Sequence, residues 1–310
     1  MTTRRCFLRD GSIVLAGSLV GSALFEAPRA NAAEKVTLMT RKIPSTGEAI
    51  PVIGMGTSGS FQVPAGGPEY QLLKEVLKRF FDGGGTVIDT APTYGNAEEL
   101  LGPLLSEGGF RKRAFIATKL SGVSGREDGL AQFKKTLQTL QTDKVELLQV
   151  HNLNDWKTQM AVARELKSQG KVKYVGVTHY TESGQEPLAE VVKATKPDFL
   201  QINYSVTQRG AEKRVFPMAK DLGVAVLVNR NFDDGALFSR VQGKSLPGWA
   251  AEAGITSWAQ MFLKFALSDP AVTVVIPATG KPDRQSDNLK AGAGAVLTAA
   301  QRTELIQLVA

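Results

Sequence analysis

Cysteine is nearly absent from this chain. Among its 310 residues there is one, Cys6, so nothing beyond the first few positions can form a disulfide or do thiolate chemistry. Histidine is almost as scarce, with two, His151 and His179, and no metal-type spacing accompanies them, so no metal site is expected. Past the N-terminal segment no apolar run approaches the ~18 to 20 residues of a membrane span. Lysine and arginine outnumber acidic residues by 37 to 30, but no five or six bases run together. A nucleic-acid surface would call for a clustered basic patch. The remainder is ordinary for a globular protein, 43% hydrophobic and 22% charged. Its length suits one large α/β domain, since barrels of about 250 residues count as single domains.

The N-terminus stands apart. Arg4-Arg5-Cys6-Phe7-Leu8-Arg9 carries paired arginines followed by Phe-Leu and a further base. A weakly apolar stretch runs from Ile13 to Phe25, diluted by Gly17 and Gly21, and Ala30-Asn31-Ala32 offers small residues where a signal peptidase needs them. This reads as a twin-arginine export signal over 1–32, cleaved after Ala32, with a single domain at 33–310. It implies the twin-arginine machinery as a partner, a periplasmic or otherwise exported location, and no membrane attachment after processing. A lipid anchor is not expected, because Cys6 precedes the apolar stretch. That route carries folded proteins, which suits a chain that acquires a cofactor before export.

After the signal the chain alternates. Residues 35–41 and 49–53 flank Pro44-Ser45-Thr46-Gly47, which predicts a β-hairpin with a glycine turn. Strands are predicted at 52–57, 86–89, 114–119, 145–151, 172–178, 199–203, 224–228 and 272–276. Helices are predicted at 70–81, 98–105, 127–140, 156–168, 186–194, 211–222 and 256–267, with two more at 283–291 and 298–308. A long loop spans 231–254. Near-continuous Val/Ile/Leu runs fit parallel strands buried on both faces. Eight strands alternating with helices after a leading hairpin predict an α/β fold, a (β/α)8 TIM barrel with extra C-terminal helices. A doubly wound sheet also alternates, and Gly54-Met55-Gly56-Thr57-Ser58-Gly59 comes near its G-x-G-x-x-G turn. The Pro/Gly-rich stretch from Phe61 to Pro68 delays the helix that such a turn requires, so the barrel is preferred.

Four ionisable side chains fall at or near the ends of successive strands: Asp89, Tyr94, Lys119 and His151. Singly, each has a bland reading: a turn cap, a loop aromatic, a rim charge, a structural histidine. At the C-terminal mouth of a barrel they would converge. A tyrosine hydroxyl titrates near ~10, so proton transfer at neutral pH needs help. A lysine ammonium favours the tyrosinate, and a carboxylate keeps the lysine charged and placed. A neutral imidazole can hold a carbonyl oxygen beside the tyrosine.

Gly83 to Glu98, with Asp89-Thr90-Ala91, Tyr94-Gly95 and Glu98, resembles the signature segment of the aldo-keto reductases. Lys119 and His151 fall where that family keeps its lysine and histidine. Gly170-Lys171-Val172 through Thr178-His179, Leu200 to Tyr204, and Ile276 to Asn288 are similar to further segments of the family, so the resemblance spans nearly the whole chain past the signal. It implies reversible reduction of an aldehyde or ketone, with hydride from NAD(P)H bound without a Rossmann domain; NADP(H) is expected over NAD(H) on the cations Lys281 and Arg284. It implies Tyr94 as general acid, Lys119 as the group that depresses its pKa, Asp89 as the partner of Lys119, and His151 as the orienter of the carbonyl. It places Gly56 and Thr57 along the cofactor, Thr178, His179 and Gln201 at the nicotinamide, and Thr279, Arg284, Asp287 and Asn288 at the adenosine end.

Three departures stand out. Thr178-His179 replaces a Ser-Asn pair. Asn229-Arg230-Asn231-Phe232 stands where an aromatic ring is common, leaving Arg230 to stack through its guanidinium. Ala278 stands where a base for the 2′-phosphate is common, leaving Lys281 and Arg284 to serve. For the substrate, Phe61, Trp156, Phe232 and Trp249 are the expected apolar lining of a fairly open pocket, and Phe238 lies in the same long loop. The departures also leave open an exported cofactor-binding or sensor barrel without significant turnover.

Overall fold

The computed structural model describes residues 37–310, so the predicted export signal lies outside the described residues. Strands β1 (Thr40–Lys42) and β2 (Ala49–Pro51) pair antiparallel around the predicted turn, where Gly47 takes a φ of +75°. Eight parallel strands follow: β3 (Met55–Gly56), β4 (Val87–Asp89), β5 (Phe115–Leu120), β6 (Val145–Val150), β7 (Val172–Thr178), β8 (Phe199–Asn203), β9 (Ala225–Asn229) and β10 (Val272–Val275). Each pairs with the next in chain order. The Ile53–Val275 and Gly56–Ala278 pairings join the last strand region to the first. There Gly54 N–H donates to Val275 O at 2.8 Å and Gly56 N–H to Pro277 O at 3.1 Å. The sheet closes on itself as the predicted (β/α)8 barrel.

The helices are α1 (Pro68–Asp82), α2 (Ala97–Glu107), α3 (Arg126–Thr139), α4 (Trp156–Ser168), α5 (Gln185–Thr195), α6 (Val215–Leu222), α7 (Ala236–Arg240), α8 (Trp258–Leu267), α9 (Pro282–Lys290) and α10 (Ala299–Val309). Pro68 opens α1, and Thr298 and Gln301 form a capping box on α10. Two predicted elements differ. The helix expected at 211–222 is broken at Arg214, with a short 3-10 turn before it. Restarting at Val215 puts Pro217 in the first turn, where a missing N–H costs nothing. The long loop at 231–254 contains α7, too short to show a helical period in sequence.

The interior has two zones. Val87, Phe115, Leu147, Tyr174, Phe199, Leu227 and Val274 point inward, and Ile43 and Ile50 of the hairpin pack into the same cluster. The Tyr174 hydroxyl bonds Thr46 of the hairpin turn at 2.8 Å, so the hairpin caps this end. Two residues further along the same inward face, the strands turn polar: Asp89 after Val87, Lys119 after Ala117, Gln149 after Leu147, Gln201 after Phe199. Period-two alternation therefore delivers a polar layer to the C-terminal mouth.

Candidate active site

Asp89 is the hub of that layer. Its Oδ1 accepts from Lys119 Nζ at 2.7 Å, and its Oδ2 accepts from Gln201 Nε2 at 2.8 Å and Gln149 Nε2 at 3.2 Å. Lys119 also donates to Thr90 O at 2.8 Å. The two charged side chains are 4% and 0% exposed, so breaking the pair would strand a buried charge. Burial alone pushes the Lys119 ammonium down, but Asp89 and Tyr94 together outweigh it and hold it above the ordinary lysine value. Gln149 fits because β7 carries Gly176 opposite it; a Cβ there would lie 2.9 Å from Gln149 Cγ.

Tyr94 sits in the turn after β4, followed by Gly95 at φ +54°. Lys119 Nζ lies 4.8 Å from the centre of its ring, and the His151 ring meets it edge-on at 5.9 Å. Burial raises the Tyr94 phenol above its ordinary value; Lys119 pulls it down and Asp89 pushes it up. The expected depression by Lys119 is therefore present but outweighed by burial. His151 is pushed down to about 4, by burial first and then by Lys119 and His179. Its ring is the neutral one expected. Its Nδ1 lies 2.7 Å from the hydroxyl of Ser121. Asn152 and Leu153, at φ 52° and 60°, turn the chain sharply just after it. Glu98 stands outside the barrel mouth, accepting from Thr118 at 2.6 Å and Thr136 at 3.1 Å, and so ties α2 to β5 and α3.

A cavity of about 1030 Å³ opens over this layer and extends to α9. Asp89, Tyr94, His151, Gly56, Thr178, His179, Gln201, Arg230, Phe232, Thr279, Arg284, Asp287 and Asn288 line it. Lys119 lies beneath, wholly buried. Thr178 Oγ1 accepts from Asn152 N–H at 3.2 Å, which leaves its own hydrogen free to donate. His179 Nδ1 accepts from Thr181 N–H at 3.3 Å, so its Nε2 carries the proton of the neutral ring. Gln201 is already engaged by Asp89 and by Asn229, whose Nδ2 donates to its Oε1 at 3.3 Å. Arg230 packs over the Tyr180 ring at 5.5 Å and pairs with Asp234, a rim position. Both Asp287 oxygens accept from the start of α8, at 2.5 Å from Ser257 and 2.6 Å from Gln260.

Other expected residues lie elsewhere. Thr57 is buried behind the lining, its N–H and hydroxyl both donating to Asp89 O. Lys281 is the exposed residue before α9. Phe61 is wholly buried in the layer between helices and barrel, Trp156 packs on that layer at the start of α4, and Trp249 donates to Glu304 of α10 at 2.8 Å. None of these three lines the cavity; Phe238, Tyr180 and Trp258 do. Sequence reasoning passed over Ser121 and Gln149, although each sits two residues from a chosen one, on the same inward face. It also passed over Asn231, 2% exposed, whose side-chain amide has no partner among the described residues.

The pattern described as "Aldo/keto reductase family" matches residues 52–310. The chain is 29% identical over 213 residues to the aldo-keto reductase YhdN of Bacillus subtilis, covering 64% of this chain and 63% of that protein. It is 25% identical over 245 residues to the NADH-specific methylglyoxal reductase of Escherichia coli, covering 68% of this chain and 73% of that protein. It spans less than two thirds of the length of the first curated relatives it matches. In fold it is similar to an aldo-keto reductase from Klebsiella pneumoniae in complex with NADPH, with a TM-score of 0.72 and 24% identity over 88% of this chain and 94% of that one.

Proposed function

The chain belongs to the aldo/keto reductase family, and from that premise we propose that it reduces an aldehyde or ketone to the alcohol, reversibly, using NADP(H). The observation that carries this reading is the buried Asp89–Lys119 pair under Tyr94, with a neutral His151 at the same mouth.

The cavity suits a dinucleotide on its own features. Asn229 Oδ1, Arg230 Nε and both amide atoms of Asn231 are buried without partners among the described residues, and all three residues line it. A Cβ at Gly56 would lie 3.0 Å from Ile276 O, so glycine lets the first strand close tightly against the last at the edge of this cavity. Gly56, Thr178, His179, Gln201, Arg230 and Asn231 would hold the nicotinamide half, with Thr57 bracing Gly56. Thr279, Arg284, Asp287 and Asn288 would hold the adenosine half. Arg284 and the nearby Lys281 are cations suited to a 2′-phosphate, which is the ground for preferring NADP(H). When bound, the nicotinamide supplies or accepts hydride.

The residues of the chain handle the proton. Tyr94 gives its hydroxyl proton to the carbonyl oxygen, and its burial keeps the phenol protonated through neutrality. Lys119 stabilises the tyrosinate left behind, and Asp89 keeps Lys119 charged and in place. His151 donates to the same oxygen as negative charge builds on it. Phe232, with Phe238, Tyr180 and Trp258, gives the mouth an aromatic side, which favours substrates with an apolar group beside the carbonyl.

Export by the twin-arginine pathway to the periplasm belongs to the same proposal. It rests on the Arg4-Arg5 segment, and the mass of the exported protein tests cleavage after Ala32. A second reading, a cofactor-binding or sensor barrel without turnover, is favoured by His179 and by Asn229-Arg230, which stand where the family commonly has an asparagine and an aromatic residue. Purified protein mixed with NADPH or NADH and a reactive aldehyde separates the two. The reductase reading predicts aldehyde-dependent oxidation of NADPH, faster than of NADH. NADPH that binds and stays unoxidised with every aldehyde tried would favour the sensor.

A further inference from the structure

We propose that Ser121 is a positioning residue that holds His151 as the tautomer with its proton on Nε2, so that the ring offers a donor to the carbonyl oxygen. The inference deepens the proposed reductase reading and rests on it only for that last consequence.

Ser121 is the first residue past β5, two after Lys119, and so shares its inward face. It is 2% exposed, and its Oγ lies 2.7 Å from His151 Nδ1. A hydroxyl hydrogen buried this deeply needs an acceptor. Among the described residues, His151 Nδ1 is the one partner the Ser121 hydroxyl has. Were Nδ1 protonated, it would donate to Oγ and leave the serine hydrogen with nowhere to go. The satisfied arrangement has Ser121 donating to Nδ1, and a neutral ring then carries its proton on Nε2.

The serine is itself held at two points. Its N–H donates to Gln132 Oε1 at 2.8 Å, and Gln132 Nε2 donates to its carbonyl at 2.9 Å. Gln132 stands on α3, so the helix outside β5 fixes the hydroxyl that fixes the ring. Strand geometry thus places the His151 ring, while Ser121 sets which nitrogen bears hydrogen. The chain's other histidine reaches the same state by a different donor, the Thr181 backbone N–H on His179 Nδ1.

The scarcity of histidine makes the test simple. In the full chain labelled with 15N-histidine, two rings report. The expected wild-type spectrum has His151 Nδ1 unprotonated and Nε2 protonated. In Ser121→Ala the His151 signals move toward a mixture of tautomers, and kcat for carbonyl reduction falls roughly tenfold or more with the Kd for NADPH unchanged. Ser121→Thr, which keeps the hydroxyl, restores the wild-type signals. A proton on His151 Nδ1 in the wild type overturns the proposal, and that spectrum can be read even if the alanine variant does not fold. Identical His151 signals in wild type and Ser121→Ala overturn it too. The tautomer readout needs no turnover. A shift seen in a protein that reduces no carbonyl would support the role of Ser121 and count against the reductase reading alone.

Discussion

Tyr94 and His151 lie side by side, and the same burial moves them in opposite directions, because it penalises whichever form is charged. The phenol is raised and the imidazole lowered, so both are neutral and proton-bearing across a wide middle range of pH. His151 protonates only as pH falls toward about 4, and Tyr94 ionises only above its ordinary value of ~10. The kcat/KM for reduction should therefore be flat from roughly pH 5 to 9, while alcohol oxidation, which needs tyrosinate, rises with pH. A pH–rate profile checks this, and an acid limb near the ordinary histidine value would contradict the neutral ring. At this scale the sequence was most legible where a chemical type coincided with a strand end, as for Asp89, Lys119 and His151. It was least legible for apolar lining. Phe61, Trp156 and Trp249 have the right chemistry, but hydrophobicity does not say whether a ring faces the mouth or the helix layer.

At the scale of the element, strands announced themselves because burial on both faces leaves continuous apolar runs, and most helices by their apolar period. What escaped was set by contacts between elements. The break before α6 follows from Pro217, and α7 hides in a loop because five residues carry no period. The turn after β7 is another case. Gly184 closes it by donating its N–H to Thr181 Oγ1 at 3.2 Å, and the His179 ring lies directly over it. A Cβ at Gly184 would fall 1.9 Å from His179 Nδ1, far inside contact distance. Gly184→Ala should therefore displace the ring and lose its bond to Thr181. If His179 holds the nicotinamide half, NADPH binding should weaken, by roughly tenfold for the loss of about one hydrogen bond. A fluorescence titration with NADPH measures this. An unchanged Kd would remove His179 from the cofactor site.

For the whole molecule, the barrel divides its labour along its axis. The hairpin end is packed with apolar side chains, Ile43, Ile50, Phe115, Tyr174 and Phe199 among them, and the other end is polar and open. Eight strand–helix alternations, and the barrel they form, were readable in sequence; the brief pairings at Ile53 and Gly56 through which it closes were not, because they leave no periodic trace. The division matters for function because a rigid floor fixes the strand ends from which Asp89, Lys119 and His151 project. On the proposed reading this mouth transfers a proton through Tyr94, and single-turnover reduction of an aldehyde by the NADPH-loaded protein, wild type beside Tyr94→Phe, tests it without interference from product release. The variant should bind NADPH as the wild type does and reduce the aldehyde at least ~100-fold more slowly. Equal single-turnover rates in the two proteins would contradict it.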